Sequence, residues 1–404
     1  MSPPEDAMDS ALIDETVSLT RELVRVRSEN PGGTEAGMME RTEAFLRGLG
    51  LDVQRDEVID GRQNITAELS ASPLNASTGA PTLVFLNHMD TVPAGDGWTR
   101  DPFSAEVSGG KLWGRGACDM KGGLAAALIA VKSLKAKLDQ GAKLRRSVRT
   151  CLVVDEECQW MQGVSKAVDL GRIAREDVVI SCEPTGLELK TAQKGAMWFE
   201  LLFSGRSAHA AAPQMGVNAI QAAARTLVRL EEMAASMETT HDLLGKTTIV
   251  TSVIRGGSKT NIVPDSCRIE VDVRFIPPLT IPEVRALLSD AAEEACKSVP
   301  GASAALQTLS VDRPPILSNL QGPGAKIIGE AISEITGAPP RPAGVSYYTD
   351  AGLAAARTGN SQCFLIGPGN IEQAHSPDEF IGVEELRRAA VVLARIIEKF
   401  ALTP

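Results

Sequence analysis

Thr82-Leu83-Val84-Phe85-Leu86-Asn87-His88-Met89-Asp90-Thr91-Val92 is a short, uninterrupted apolar run that ends in an imidazole and a carboxylate. A half-buried strand would alternate apolar and polar residues. An unbroken apolar run is instead expected of a strand covered by helices on both faces of a sheet. Val148 to Val154, Val178-Val179-Ile180-Ser181 and Cys363-Phe364-Leu365-Ile366 repeat the pattern. Helical stretches separate several of these runs, Leu124 to Leu138 being the clearest, and such alternation predicts an α/β domain with a central, largely parallel sheet flanked by helices.

Outward from this sheet, Ala11 to Arg27 reads as a helix carrying Leu12, Val17, Leu19, Leu23 and Val24, with Asn30-Pro31-Gly32-Gly33 as its stop signal. A second helix spans Glu35 to Leu49, and Val53 to Val58 and Asn64 to Leu69 alternate like half-buried strands. The rhythm then changes. Trp198 to Phe203, Thr247 to Ile254, Ser266 to Phe275 and Ala304 to Val311 read as strands; Ala219 to Met233 and Pro282 to Val299 read as helices. That β-α-β-β-α-β order is the split arrangement of a ferredoxin-like α+β module. After it the chain resumes helix-strand-helix from Gly324, closing with Val383 to Phe400 and its stripe of Leu386, Ala389, Ala390, Leu393 and Ile397. The expected organisation is an α/β domain from 1–195 and 312–404, with the module 196–311 inserted into it.

Composition narrows the function. At roughly 150 residues per domain, 404 residues allow two or three domains. With 41 basic against 51 acidic side chains the net charge is −10, which argues against a nucleic-acid partner, since phosphates need a basic face. No apolar run reaches the length of a membrane span. Met1 to Ser10 is acidic and Pro-rich, unlike a secretion signal. Seven scattered cysteines, an odd number without a Cys-x-x-Cys pair, suggest reduced, buried thiols and a cytoplasmic protein.

Chemistry concentrates at strand ends. His88 follows the Leu83–Leu86 run, Glu156 and Glu157 follow Val148–Val154, Glu183 follows Val178–Ser181, and His375 follows Cys363–Ile366. In an open α/β sheet the carboxyl ends of the strands form the ligand-binding edge. Asp119 lies in Gly114-Arg115-Gly116-Ala117-Cys118-Asp119-Met120-Lys121-Gly122-Gly123. Clustered carboxylates repel one another and are costly to bury without cations. Two histidines and three carboxylates can share two divalent metals if one carboxylate bridges, and the fourth, either Glu156 or Glu157, remains to move protons. Mixed nitrogen and oxygen ligands suit zinc, with cobalt or manganese as substitutes. Asp90, two residues after His88, is placed to accept the free ring N–H and fix the tautomer.

His88-Met89-Asp90-Thr91-Val92-Pro93, Gly114-Arg115-Gly116 with Asp119-Met120-Lys121-Gly122-Gly123, Glu156-Glu157, Glu183-Pro184 and Ala374-His375 occur in this order. Together they resemble the co-catalytic zinc family of acetylornithine deacetylase, succinyl-diaminopimelate desuccinylase, aminoacylase and carboxypeptidase G. The Ile366-to-Glu379 segment is most similar to the acetylornithine deacetylase branch. The resemblance implies that Asp119 bridges the metals, that His88 and Glu183 complete one site and that Glu157 and His375 complete the other. It makes Glu156 the general base and acid, and implies a cis peptide after Asp119. In the inserted module it implies an oxyanion role for His209, reaching the active site of a partner subunit in a homodimer. It also implies substrate contacts from Asn261, Arg274 and Gly369, and a lid and dimerisation role for the module.

The expected activity is therefore amide hydrolysis of a small N-acyl amino acid by metal-activated water. A metallo-carboxypeptidase or dipeptidase on the same site is the alternative, and a non-catalytic metal-binding scaffold a third. Cys158-Gln159-Trp160-Met161-Gln162 replaces the short Gly-rich stretch usual in the family after the paired glutamates, and its bulk is expected to shape the acyl or amine pocket.

Overall fold

The computed structural model describes residues 5–72 and 80–402. Residues 1–4, the start of the acidic, Pro-rich N-terminal segment, lie outside the described residues. The chain divides into two compact units: Met1–Thr191 with Leu317–Ala343 and Thr349–Pro404, and Ala192–Ile316 with Gly344–Tyr348.

In the first unit four strands run parallel and side by side, in the order Val148–Val153, Leu83–His88, Val178–Ser181 and Cys363–Leu365. All six residues of Leu83–His88 are buried, as a doubly covered strand requires. Leu83 and Phe85 join the large core containing Leu124, Leu128, Leu393 and Ile397, from the helices Gly122–Asp139 and Val383–Leu402. Val84 and Leu86 alternate to the opposite face and are also fully buried. There the helices Gln162–Asp169 and Asp350–Thr358 pack on each other and on the strands. Arg62–Leu69 and Val53–Ile59 extend the sheet antiparallel beyond Val148–Val153.

Because the four central strands are parallel, their carboxyl ends share one edge. His88 is the last residue of its strand. After Val153 the chain does not stay extended but turns at Asp155, whose φ is +70°, and this brings Glu156 and Glu157 back over the edge.

The second unit holds a four-stranded antiparallel sheet in the order Thr248–Gly256, Ser266–Phe275, Gly195–Ser204 and Ser303–Thr308. The helices Ala219–Ser236 and Ile281–Lys297 close its core with Ala222, Ala223, Leu230, Val284 and Leu288. Thr280 and Glu283 form a capping box at the start of the second helix.

Candidate metal centre

Six side chains gather at the carboxyl edge of the parallel strands. Potential ligand atoms of His88, Asp119 and Glu183 lie within 4.8 Å of one another, as do those of Asp119, Glu157 and His375, and those of His88, Glu156 and Glu157. Asp119 belongs to two of these groups. Its Oδ1 is 3.2 Å from His88 Nε2, and its Oδ2 is 3.4 Å from His375 Nε2. His375 Nε2 also lies 3.2 Å from Glu157 Oε2. The turn that presents Asp119 follows Lys111–Trp113, the middle strand of a separate three-stranded sheet, and the Asp119–Met120 peptide is cis.

His88 is oriented through its backbone neighbourhood. Its Nδ1 is 3.0 Å from the Asp90 carbonyl oxygen and 3.5 Å from the Asp90 carboxylate. A proton on Nδ1 therefore goes to the carbonyl, leaving Nε2 for Asp119's side of the site. The Asp90 carboxylate is engaged by the backbone of the next strand end. Its Oδ1 accepts the N–H of Glu156 at 3.2 Å, and its Oδ2 accepts that of Glu157 at 3.1 Å. Asn30 Nδ2 donates to Oδ2 at 3.0 Å. Asp90 thus fixes the turn carrying the paired glutamates, a role that its spacing from His88 did not announce.

Electrostatics show what the cluster requires. Burial, reinforced by Glu157, Glu183 and Asp119 against the opposing pull of His88, pushes the Glu156 carboxyl well above its usual range. Burial and Asp119 push Glu183 up to about 8. Hydrogen bonds to Asp119 and Glu157 raise His375 to about 11. Burial disfavours the charged ring of His88, yet Asp119 and Asp90 raise it well above an ordinary histidine. Burial likewise opposes ionisation of Asp119, and the hydrogen bonds from His375 and His88 override it and hold the carboxyl low. Acids that resist ionising beside imidazoles that hold protons are a donor set asking for positive charge. Two imidazoles and four carboxylates, nitrogen and oxygen donors around one shared carboxylate, fit divalent cations.

Gly369 lies beside Cys118, and the other expected residues, His209, Asn261 and Arg274, belong to the second unit. Gly369 has a φ of +83°, and a Cβ there would sit 2.6 Å from Cys118 Sγ, so the position admits glycine alone without rearrangement. Met161 is buried, whereas Trp160 is 46% exposed. In the second unit His209 pairs with Ile262 across a short ladder, and Ala210 N–H donates to the Asn261 carbonyl at 3.0 Å. Arg274 Nε and Nη2 donate to both oxygens of Asp272, at 2.7 and 2.9 Å. Its fork is thus engaged by a strand neighbour, an arrangement that residue spacing left open.

Among the buried carboxylates without a role assigned from the sequence are Glu379 and Asp350. Glu379 accepts hydrogen bonds from the backbone of Cys118 and Asp119. Asp350 is 1% exposed, and neither of its oxygens has a hydrogen-bond partner among the described residues. Burial and the nearby Glu156 push its carboxyl well up. Tyr347-Tyr348-Thr349-Asp350 has a counterpart in the family, but a lone acid at the start of a small-residue helix gives no periodic signal of its burial.

Residues 84–399 match the family described as peptidase family M20/M25/M40. The chain is 30% identical over 368 residues to an acetylornithine deacetylase of Myxococcus xanthus, covering 90% of this chain and 92% of the relative. It is 28% identical to a succinyl-diaminopimelate desuccinylase of Rhodopseudomonas palustris, covering 96% and 98%. Human carnosine dipeptidase 1 shares the fold with a TM-score of 0.77 at 17% identity, covering 98% of this chain and 97% of that one. An M20 family metallo-carboxypeptidase of Sulfolobus solfataricus does so with a TM-score of 0.74 at 19% identity, covering 96% and 99%. With the family match running from the first central strand almost to the end of the last helix, the chain belongs to peptidase family M20/M25/M40 and is a metal-dependent hydrolase of amide bonds.

Proposed function

We propose that the chain removes the acyl group from a small N-acyl amino acid, with two divalent cations, zinc by preference, held in a catalytic unit of 1–195 and 312–404. The observation that carries this reading is the sharing of Asp119 between the His88–Asp119–Glu183 and Asp119–Glu157–His375 groups. His88 and Glu183 would hold one cation, Glu157 and His375 the other, and Asp119 both. When bound, such cations lower the pKa of water toward neutrality and polarise a carbonyl oxygen.

The chain's own groups do the rest. Glu156 remains outside the two groups that share Asp119 yet has a carboxylate oxygen within 4.8 Å of potential ligand atoms of His88 and Glu157, which suits it to take a proton from the attacking water. It then delivers that proton to the departing amine nitrogen, and a carboxylate and a free amine leave. His209 Nδ1 accepts the N–H of Ala211 at 3.0 Å, so the neutral ring carries its proton on Nε2. That N–H is the donor assigned to the developing oxyanion. Asn261, Arg274 and Gly369 are assigned to the substrate, with Arg274 meeting its carboxylate through the Nη1–Nη2 end of the guanidinium while Nε and Nη2 stay paired with Asp272.

The module 196–311 is read as lid and dimerisation domain, and the partner as a second copy of the chain. Support comes from Thr248–Gly256, an edge strand with one sheet neighbour among the described residues. Val250 and Ile254 on that strand are 54% and 51% exposed. The names of the deacetylase and desuccinylase relatives support an N-acyl substrate. The deciding assay offers N-acetyl, N-formyl and N-succinyl amino acids and dipeptides to the chelated protein, with and without added Zn²⁺ or Co²⁺. Metal-restored release of amine from the acyl compounds is expected. Turnover of dipeptides alone would make the chain a peptidase, and turnover of nothing on this panel would overturn the N-acyl amino acid reading.

A further inference from the structure

Asp119 and His375 stand apart from the other candidate ligands in how they are held. His88 ends a central strand, and Glu183 is the second residue after one. Glu157 is fastened by its N–H to Asp90. Asp119 and His375 come from excursions outside the parallel strands, and His375 is a non-glycine residue with a φ of +60° whose side chain is 52% exposed.

Glu379 ties these excursions together. It lies four residues after His375 and is 1% exposed. Its Oε1 accepts the N–H groups of Cys118 at 2.9 Å and of Asp119 at 3.1 Å. Its Oε2 accepts Arg115 Nη1 at 2.5 Å, and Arg115, itself buried, anchors its other arm on the Ala94 carbonyl. The Glu379 carbonyl accepts Gly114 N–H at 2.8 Å, and Phe380–Gly382 pairs with Lys111–Trp113. Two peptide N–H groups and a guanidinium all aim donors at this one side chain. The side chain must be acceptor-only and long enough to face both ways.

We propose that Glu379 is a positioning residue that holds Asp119 and His375 in register. It would thereby govern the cation shared by Asp119, Glu157 and His375 more than the one shared by His88, Asp119 and Glu183. The inference rests on the two-cation reading above. Glutamine cannot replace the carboxylate: with its single oxygen toward the peptide groups its NH₂ meets the Arg115 guanidinium, donor against donor. Turned the other way, it leaves two buried N–H groups facing donors. Aspartate keeps the charge but falls one methylene short.

The test is a Co²⁺ titration of the metal-depleted full-length chain, followed by visible absorption and by metal counting in equilibrium dialysis, with circular dichroism to follow the fold. The wild type is expected to take up two equivalents. In Glu379→Gln the first equivalent should bind as in wild type and the second at least about tenfold more weakly, the scale on which residues that orient ligands act. Two equivalents of wild-type affinity in the variant, or equal weakening of both as a merely structural role would give, overturns the assignment. If Glu379→Gln is not recovered folded, Glu379→Asp is titrated instead, with the same asymmetry expected and the same outcomes against it. A wild type that takes up fewer than two equivalents overturns the two-cation reading itself, a result distinct from the failure of Glu379 alone.

Discussion

Glu156 and Asp90 illustrate two kinds of residue at this centre. Glu156 is assigned proton transfer, so Glu156→Gln should keep both cations while turnover falls at least about a hundredfold, the usual scale of general acid–base catalysis. Metal analysis beside steady-state kinetics checks this, and near-wild-type turnover would remove Glu156 from the mechanism. Asp90 acts through others, since its two oxygens receive the N–H groups of Glu156 and Glu157. Asp90→Ala should therefore lower turnover and also weaken cation binding by about 10–100-fold, measurable by competition with a chelator. Unchanged cation affinity would show that the turn at Asp155 holds itself. Individual residues were legible in the sequence where they sit at or just past the end of an apolar run, as His88, Glu157 and Glu183 do, and the structure brings these together with Asp119 and His375. The grip of Asp90 on the glutamate turn was not legible, because it depends on a positive φ at Asp155 that no neighbouring residue signals. The burial of Asp350 escaped notice for a similar reason, being fixed by packing rather than by local pattern.

At the scale of elements, the strands were readable because burial on both faces leaves an unbroken apolar run, and the run lengths set the boundaries to within a few residues. The helices Gln162–Asp169 and Asp350–Thr358 were missed. Both are short, and Asp-Ala-Gly-Leu-Ala-Ala-Ala-Arg-Thr presents small residues on every side with no apolar stripe to detect. Close approach of elements was equally hidden. A Cβ on Gly123 would lie 1.9 Å from the Cys182 carbonyl oxygen, where the helix that follows Asp119 meets the strand end that precedes Glu183. Gly123→Ala should destabilise the fold by about 3 kcal/mol, at the upper end of ordinary overpacking. Urea unfolding measures this, and a loss below about 0.5 kcal/mol, the range of innocuous surface changes, would mean that the two elements can part without strain.

For the molecule as a whole, the ferredoxin-like order of Gly195–Thr308 was visible from alternation alone, since a sheet with one covered face advertises its period. The excursion of Gly344–Tyr348 into the second unit was not, because so short a segment carries no period. If the exposed edge of that unit joins two copies, Val250→Asp with Ile254→Asp should convert a dimer into a monomer in sedimentation. A variant that stays dimeric would move the interface elsewhere. The central claim is that one carboxylate joins two cations. Anomalous diffraction at the zinc edge, from crystals grown with Zn²⁺, tests it most directly. Two peaks are expected, one bounded by His88, Asp119 and Glu183 and the other by Asp119, Glu157 and His375, with Asp119 between them. A single peak, or two that do not share Asp119, would contradict the account.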